Sequence, residues 1–110
     1  MELPGLNLGV DEDAFEKESD LERRFVRRCE KAGATVRKLA WLGRKGAPDR
    51  VVLLPVRRIA FVELKRGSRG RFSGDQEAEL ALLQGMGFPT YRVLTDADLE
   101  AFAREFLHAV

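Results

Sequence analysis

Several absences narrow the reading of this chain before any motif is considered. A single cysteine, Cys29, excludes an intramolecular disulfide and any cysteine-cluster metal site. It falls on the apolar side of an expected helix, where a small core residue is the ordinary role. The one histidine, His108, lies almost at the end of the sequence, so zinc sites and histidine-based nucleophilic chemistry find no support. No apolar run approaches the roughly 18 residues of a membrane helix, and no signal-peptide pattern is present, so a cytoplasmic location is expected. Internal repeats and low-complexity linkers are also lacking. What remains is a 110-residue chain, 45% hydrophobic and 34% charged, enough for one domain with a single core.

A net charge of +1 conceals a strong asymmetry. Between Arg37 and Arg71 there are eleven basic residues and only two acids, Asp49 and Glu63, while the remainder of the chain is net acidic. A cationic field around one isolated acidic pair suits a polyanion together with a metal ion. Scattered solvated arginines would be the plainer reading, but they leave the placement of the two acids unexplained.

Those acids stand in the stretch GAPDRVVLLPVRRIAFVELK, residues 46–65. Two short apolar runs, Val51–Leu54 and Ile59–Val62, flank a turn-forming connection and read as a β-hairpin. In an antiparallel pair the start of one strand lies beside the end of the next, which puts Asp49 beside Glu63. Glu63 and Lys65, two residues apart, project from one face, and Leu64 points the other way. Carboxylates held this close repel unless a cation or proton intervenes. A hard divalent ion such as Mg²⁺ resolves the repulsion, and Lys65 could then orient water or stabilise phosphate charge. A surface salt bridge of Lys65 with either acid is the competing reading from pattern alone.

Around this hairpin the chain reads as follows. Residues 1–13 form a flexible tail, and residues 14–110 a single domain. A helix is expected over 14–31, stopped by Gly33, with Leu21, Phe25, Val26, Cys29 and Ala32 as its apolar stripe. Glu18 falls near the centre of that stripe and Glu22 about 40° to one side. A carboxylate on a buried face needs a partner, so Glu18, and less directly Glu22, are candidates to reach the acidic site. The alternative is pairing with a basic residue on the helix surface.

Residues 34–42 are expected to form a first strand, with Trp41 as a core or edge aromatic in preference to a stacking surface for a base. Arg37 and Lys38 cannot share a face there, so one of them is expected to turn toward substrate. Two basic glycine loops follow: one carries Arg44 and Lys45 before Asp49 and Arg50, the other Arg66, Arg69 and Arg71 after Lys65. Both suit phosphate contacts. Ser73 opens a helix as a capping box with Gln76, a role that would by itself account for the glutamine. A final strand over 88–94 and a last helix capped by Thr95 and Asp98 complete the order: helix, three-strand meander, helix, strand, helix. The crossover before the last strand makes its pairing parallel. The expected fold is α/β, a mixed four-stranded sheet flanked by helices.

Pro48-Asp49 followed by Glu63-Leu64-Lys65 resembles the PD-(D/E)xK signature of restriction-endonuclease-like nucleases, and the αβββαβ order is similar to their core. With Glu18 in the first helix, Gly46-Ala47-Pro48-Asp49-Arg50 and Ser73-x-x-Gln76, the chain resembles more closely the VRR-NUC branch, over residues 18 to about 94. The resemblance implies Asp49 and Glu63 as ligands of Mg²⁺ or Mn²⁺, with the Leu64 carbonyl contributing. It implies Lys65 as the catalytic lysine, Glu18 as a support for the metal or its water, and Gln76 as a residue lining the site. Gln76 is expected to serve either the helix cap or the site, one at a time. The family association further implies a phage replication or repair endonuclease acting on branched DNA such as four-way junctions, and hence a homodimer. A silent DNA-binding or assembly module with the same fold, and an RNA-cutting enzyme, are the competing functions.

Overall fold

The computed structural model describes residues 12–65 and 73–108, with side chains from residue 20 onward. The proposed tail through residue 11, the second basic loop with Arg66, Arg69 and Arg71, and the Glu18 side chain therefore lie outside the described residues.

The first helix, α1 (Glu12–Lys31), begins slightly earlier than its periodicity suggests. Leu21, Phe25 and Cys29, spaced by one helical turn, are all buried, and Val26 and Ala32 pack beside them. Gly33, at φ +90°, ends the helix in a backbone conformation that a side chain would disfavour. Burial pushes the Cys29 thiol up to about 12, so this cysteine is an inert packing residue.

Four strands follow: β1 (Thr35–Lys38), β2 (Arg50–Leu54), β3 (Arg58–Leu64) and β4 (Thr90–Val93), arranged in chain order across one sheet. The first two pairings are antiparallel and the last is parallel. The helix α2 (Gly74–Gly85) makes the crossover between β3 and β4. The last helix, α3 (Asp96–Phe102), is capped by Thr95 and Asp98 and continues into a π-helical turn over Ala103–Leu107. The mixed sheet flanked by helices is thus the fold the sequence suggests.

Alternation along β3 divides the sheet into two faces. Ala60, Val62 and Leu64 join Val36, Val52 and Val93 beneath α1 and α3, where Phe25 and Phe102 meet at 5.3 Å between ring centroids. Arg24 with Asp96 and Arg28 with Glu100 close the seam between the two helices at its exposed rim. The opposite face carries Phe61, edge-on to Phe88 at 5.6 Å, and Glu63 beneath α2.

One local reading needs correction. β1 is four residues long, not nine, so Trp41 lies outside the sheet, in the loop before β2. Strand pairing ends beyond the bond from Leu39 N–H to the Asp49 carbonyl, and the segment that follows is a loop in which Gly43 and Gly46 both take positive φ. On α2, Leu80 and Leu83 face inward and are buried, while Leu82 and Met86 are exposed.

Candidate active site

Register decides the first feature of the site. Arg50 pairs with Val62, so Asp49 and Glu63 continue the same antiparallel ladder and fall opposite one another. Each acid is also bound to the strand of the other. The backbone N–H of Leu64 donates to Asp49 Oδ2 at 2.7 Å, and the backbone N–H of Asp49 donates to Glu63 Oε1 at 3.2 Å. The two carboxyl groups therefore gather at one end of the hairpin on the α2 side.

Glu63 is wholly buried, the most deeply placed charged residue described. Its Oε1 has partners, but its Oε2 accepts no hydrogen bond from any described residue. Burial first, and then the adjacent Asp49 charge, push the Glu63 carboxyl up to about 8, with Lys65 pulling the other way. An oxygen of this kind is expensive to leave unmatched. Lys65 is half-buried just past β3, and its backbone N–H holds Val93 of β4 at 3.0 Å.

Gln76 reaches the same point from α2. Its Oε1 accepts from the Ser73 backbone N–H at 2.8 Å, and its Nε2 donates to Glu63 Oε1 at 3.4 Å. The expectation that it could serve only one role at a time is overturned. A primary amide has separate donor and acceptor ends, so the cap uses one and the site uses the other.

The approach to Asp49 is shaped by packing. At Gly46, φ is +94° and an added Cβ would lie 2.5 Å from the Asp75 carbonyl oxygen, a distance no side chain tolerates. The glycine lets the loop lie directly on the first turn of α2. Pro48 is fully buried just before Asp49.

The remaining sequence candidates distribute differently. Glu22 forms an ion pair with Arg50 at 3.3 Å, on the α1 side of the sheet. That pair faces away from the carboxylates because Arg50 and Asp49 are neighbours in an extended chain. Arg44 binds Glu79 through two nitrogens. Lys38 and Lys45 are exposed, with no ion pair among the described residues. Glu79 is a residue the sequence reading passed over. It lies beside Leu80 and one turn from Leu83 on α2, and that inward-facing position was the available signal.

The described residues contain no cluster of three or more histidine, cysteine or acidic side chains able to hold a metal. Asp49 and Glu63 form a two-carboxylate set of hard oxygens, the pair that could share a cation. No described helix is long and apolar enough to cross a membrane.

Comparison with known proteins places this geometry. No family model matches the sequence. Over 49 residues the chain is 41% identical to "Putative nuclease p44" of Acyrthosiphon pisum secondary endosymbiont phage 1, a match spanning 44% of this chain and about half, 53%, of that protein. A solved structure described as a VRR_NUC domain superposes with a TM-score of 0.77 and 30% sequence identity, covering 82% of this chain and 97% of the other. Since the shared fold and sequence extend over nearly the whole of that domain, the chain belongs to the VRR-NUC family of nuclease domains, with a restriction-endonuclease-like fold.

Proposed function

We propose that this protein is a Mg²⁺- or Mn²⁺-dependent endodeoxyribonuclease that hydrolyses phosphodiester bonds in branched DNA, four-way junctions included, in the cytoplasm of a bacterial or phage-infected cell during phage replication or repair. The observation that supports it most is the buried Glu63 Oε2, which has no partner among the described residues and lies beside a second carboxylate. A two-oxygen set of this type fits a hard divalent cation, which has little appetite for softer ligands. When bound, such an ion would supply Lewis-acid stabilisation of phosphate charge and a more acidic water.

In this reading Asp49 and Glu63 hold the ion, with the Leu64 carbonyl and Glu18 as further oxygen donors. Lys65 orients the attacking water and stabilises charge developing on the phosphate. Gln76 fixes the orientation of Glu63 through the bond to Oε1. Lys38, Lys45, Arg66, Arg69 and Arg71 contact the DNA backbone, and so contribute to affinity and to its salt dependence. Arg44 and Arg50, also expected on DNA, are instead engaged with Glu79 and Glu22. Cutting a junction requires two symmetry-related incisions, which a C2 homodimer provides.

The decisive assay presents purified protein, with Mg²⁺, Mn²⁺ or chelator, to labelled duplex, flap, fork and four-way DNA, and to matched RNA. Metal-dependent incision of branched DNA is expected, lost in Asp49→Ala and Glu63→Ala while DNA binding largely persists. Full cleavage by either variant would remove the catalytic assignment. Binding without cleavage by the unmodified protein would make it a silent DNA-binding module, and preferred cutting of RNA would change the substrate class.

A further inference from the structure

Seven residues separate Trp41 from Asp49, and this connection is fastened to α2 at successive points. The Trp41 indole N–H donates to Glu79 Oε1 at 2.8 Å. Arg44 donates to Glu79 Oε2 from Nε at 3.1 Å and from a terminal nitrogen at 2.8 Å. Gly46 then lies against the Asp75 backbone, and Pro48 is buried. Glu79 itself is only 7% exposed, and both its oxygens are occupied.

The position of Glu79 on α2 gives these bonds a consequence. It sits one turn after Gln76, the residue that touches Glu63. The helix thus bears on both acids at once: on Asp49 through the loop, and on Glu63 through the amide. A loop of this length, with two glycines at positive φ, has many conformations open to it. The hairpin register sets Asp49 opposite Glu63, and the bonds to Glu79 hold the segment leading into Asp49 in one arrangement against α2.

We propose that Glu79 is a positioning residue for phosphodiester cleavage, clamping the loop that carries Asp49 onto the helix that carries Gln76, and that Arg44 serves this clamp instead of a DNA phosphate. The proposal rests on the nuclease reading above for its catalytic part, but the clamp itself has an independent readout. Trp41 is the only tryptophan in the chain, so its emission reports on the loop without interference.

The test compares Glu79→Ala, Glu79→Gln, Arg44→Ala and the Glu79→Ala/Arg44→Ala double variant, with Glu77→Ala as a control. Glu77 lies on the same helix but is exposed and pairs with Arg92. In Glu79→Ala, Trp41 emission is expected to shift to the red and become more accessible to acrylamide, with cooperative unfolding retained. On the branched DNA cut by the unmodified protein, kcat is expected to fall about 10- to 100-fold from misplacement of the catalytic carboxylate, with KM little changed. Glu79→Gln, which keeps an acceptor for Trp41, should recover part of the loss. The double variant should be no worse than the worse single one, because both remove the same clamp. Glu77→Ala should change neither emission nor kcat.

Salt dependence distinguishes the two roles of Arg44. Measured in chelator, Arg44→Ala should keep the slope of log affinity against log salt, whereas losing a phosphate contact would reduce it by about one. A reduced slope would overturn the clamp role of Arg44. Unchanged Trp41 emission in Glu79→Ala would overturn the clamp whatever the activity. Shifted emission with full kcat would overturn the positioning role and leave the nuclease reading intact. An inactive unmodified protein would sink both the nuclease reading and the catalytic role drawn from it.

Discussion

Two glutamates are buried among the described residues, and the protein treats them in opposite ways. Glu79, on α2, receives three hydrogen bonds, and the Arg44 guanidinium holds its carboxyl below the usual range. Glu63, on β3, faces a like charge, keeps one oxygen unmatched, and is pushed up to about 8. The first is a charge the fold has neutralised for itself. The second is a carboxyl that burial and a neighbouring like charge hold well above its ordinary value, with one oxygen that has no donor among the described residues, a condition common at functional sites. The contrast teaches that burial alone does not identify such a site; the unfinished hydrogen bonding does.

The largest expected effect would come from removing the unmatched charge. Glu63→Gln preserves shape but removes the anion, and should reduce metal-dependent cleavage by about 10³-fold or more, in line with a lost Lewis-acid contribution of several kcal/mol. The same change should stabilise the metal-free protein at alkaline pH, by up to a few kcal/mol. Glu79→Gln should not stabilise the protein at any pH, since there it weakens a satisfied pair. If both substitutions stabilised, the contrast would fail. Cleavage rates and thermal melts on the two variants decide it.

The pH dependence follows from the same shift. Between the ordinary carboxyl value of 4.5 and about 8, folded Glu63 retains a proton that the unfolded chain has released. The folded state binds more protons in that window, so stability falls as pH rises through it and levels off above about 8. Thermal melts of the metal-free protein from pH 5 to 9 should show this decline, and Glu63→Gln should flatten it. Added Mn²⁺ should restore stability at the alkaline end, where the anion is available to bind it.

Gly46 sharpens the comparison from the other side, since it packs against the helix that carries Glu79. Gly46→Ala must either move α2 or strain the loop, and should cost about 2–3 kcal/mol, combining the positive-φ penalty with the steric clash. Cleavage should fall along with stability, because Asp49 and Gln76 both shift. An unaltered melting curve would show that the loop can yield without cost.

The smallest effect lies at the far end of the hairpin. Val56 and Arg57 both take left-handed backbone conformations, at φ 66° and 61°, although neither is glycine. Val56 is 84% exposed, so nothing packed around it offsets the strain. Replacing the two with Asn-Gly should stabilise the protein by about 1 kcal/mol and leave cleavage unchanged. A loss of activity would mean that the turn contributes to the site after all.

Much of this arrangement was readable along the chain. The hairpin, with Asp49 opposite Glu63, follows from two short β-branched runs and the geometry of antiparallel pairing. The helix stripe of Leu21, Phe25 and Cys29 follows from its period, and the caps at Ser73 and Thr95 from their residue types. Trp41 and Arg44 share a partner that the sequence pattern does not reveal, for a common reason. Composition assigns an aromatic to the core and an arginine to the substrate, but the partner that occupies both, Glu79, is more than thirty residues away. Gln76 was judged too narrowly, because a capping pattern reveals the acceptor end of the amide and not the neighbour of its donor end.

The amino-acid sequence alone determined which elements form and how the hairpin is registered, because periodicity and turn chemistry act over a few residues. Only the tertiary structure decided which charges are matched and which are left exposed to need. That depends on where α2 settles across the sheet, bringing Arg44 and Trp41 to Glu79 while leaving one oxygen of Glu63 without a donor among the described residues. Desolvation is a property of the packed surroundings, and no local pattern along the chain encodes it.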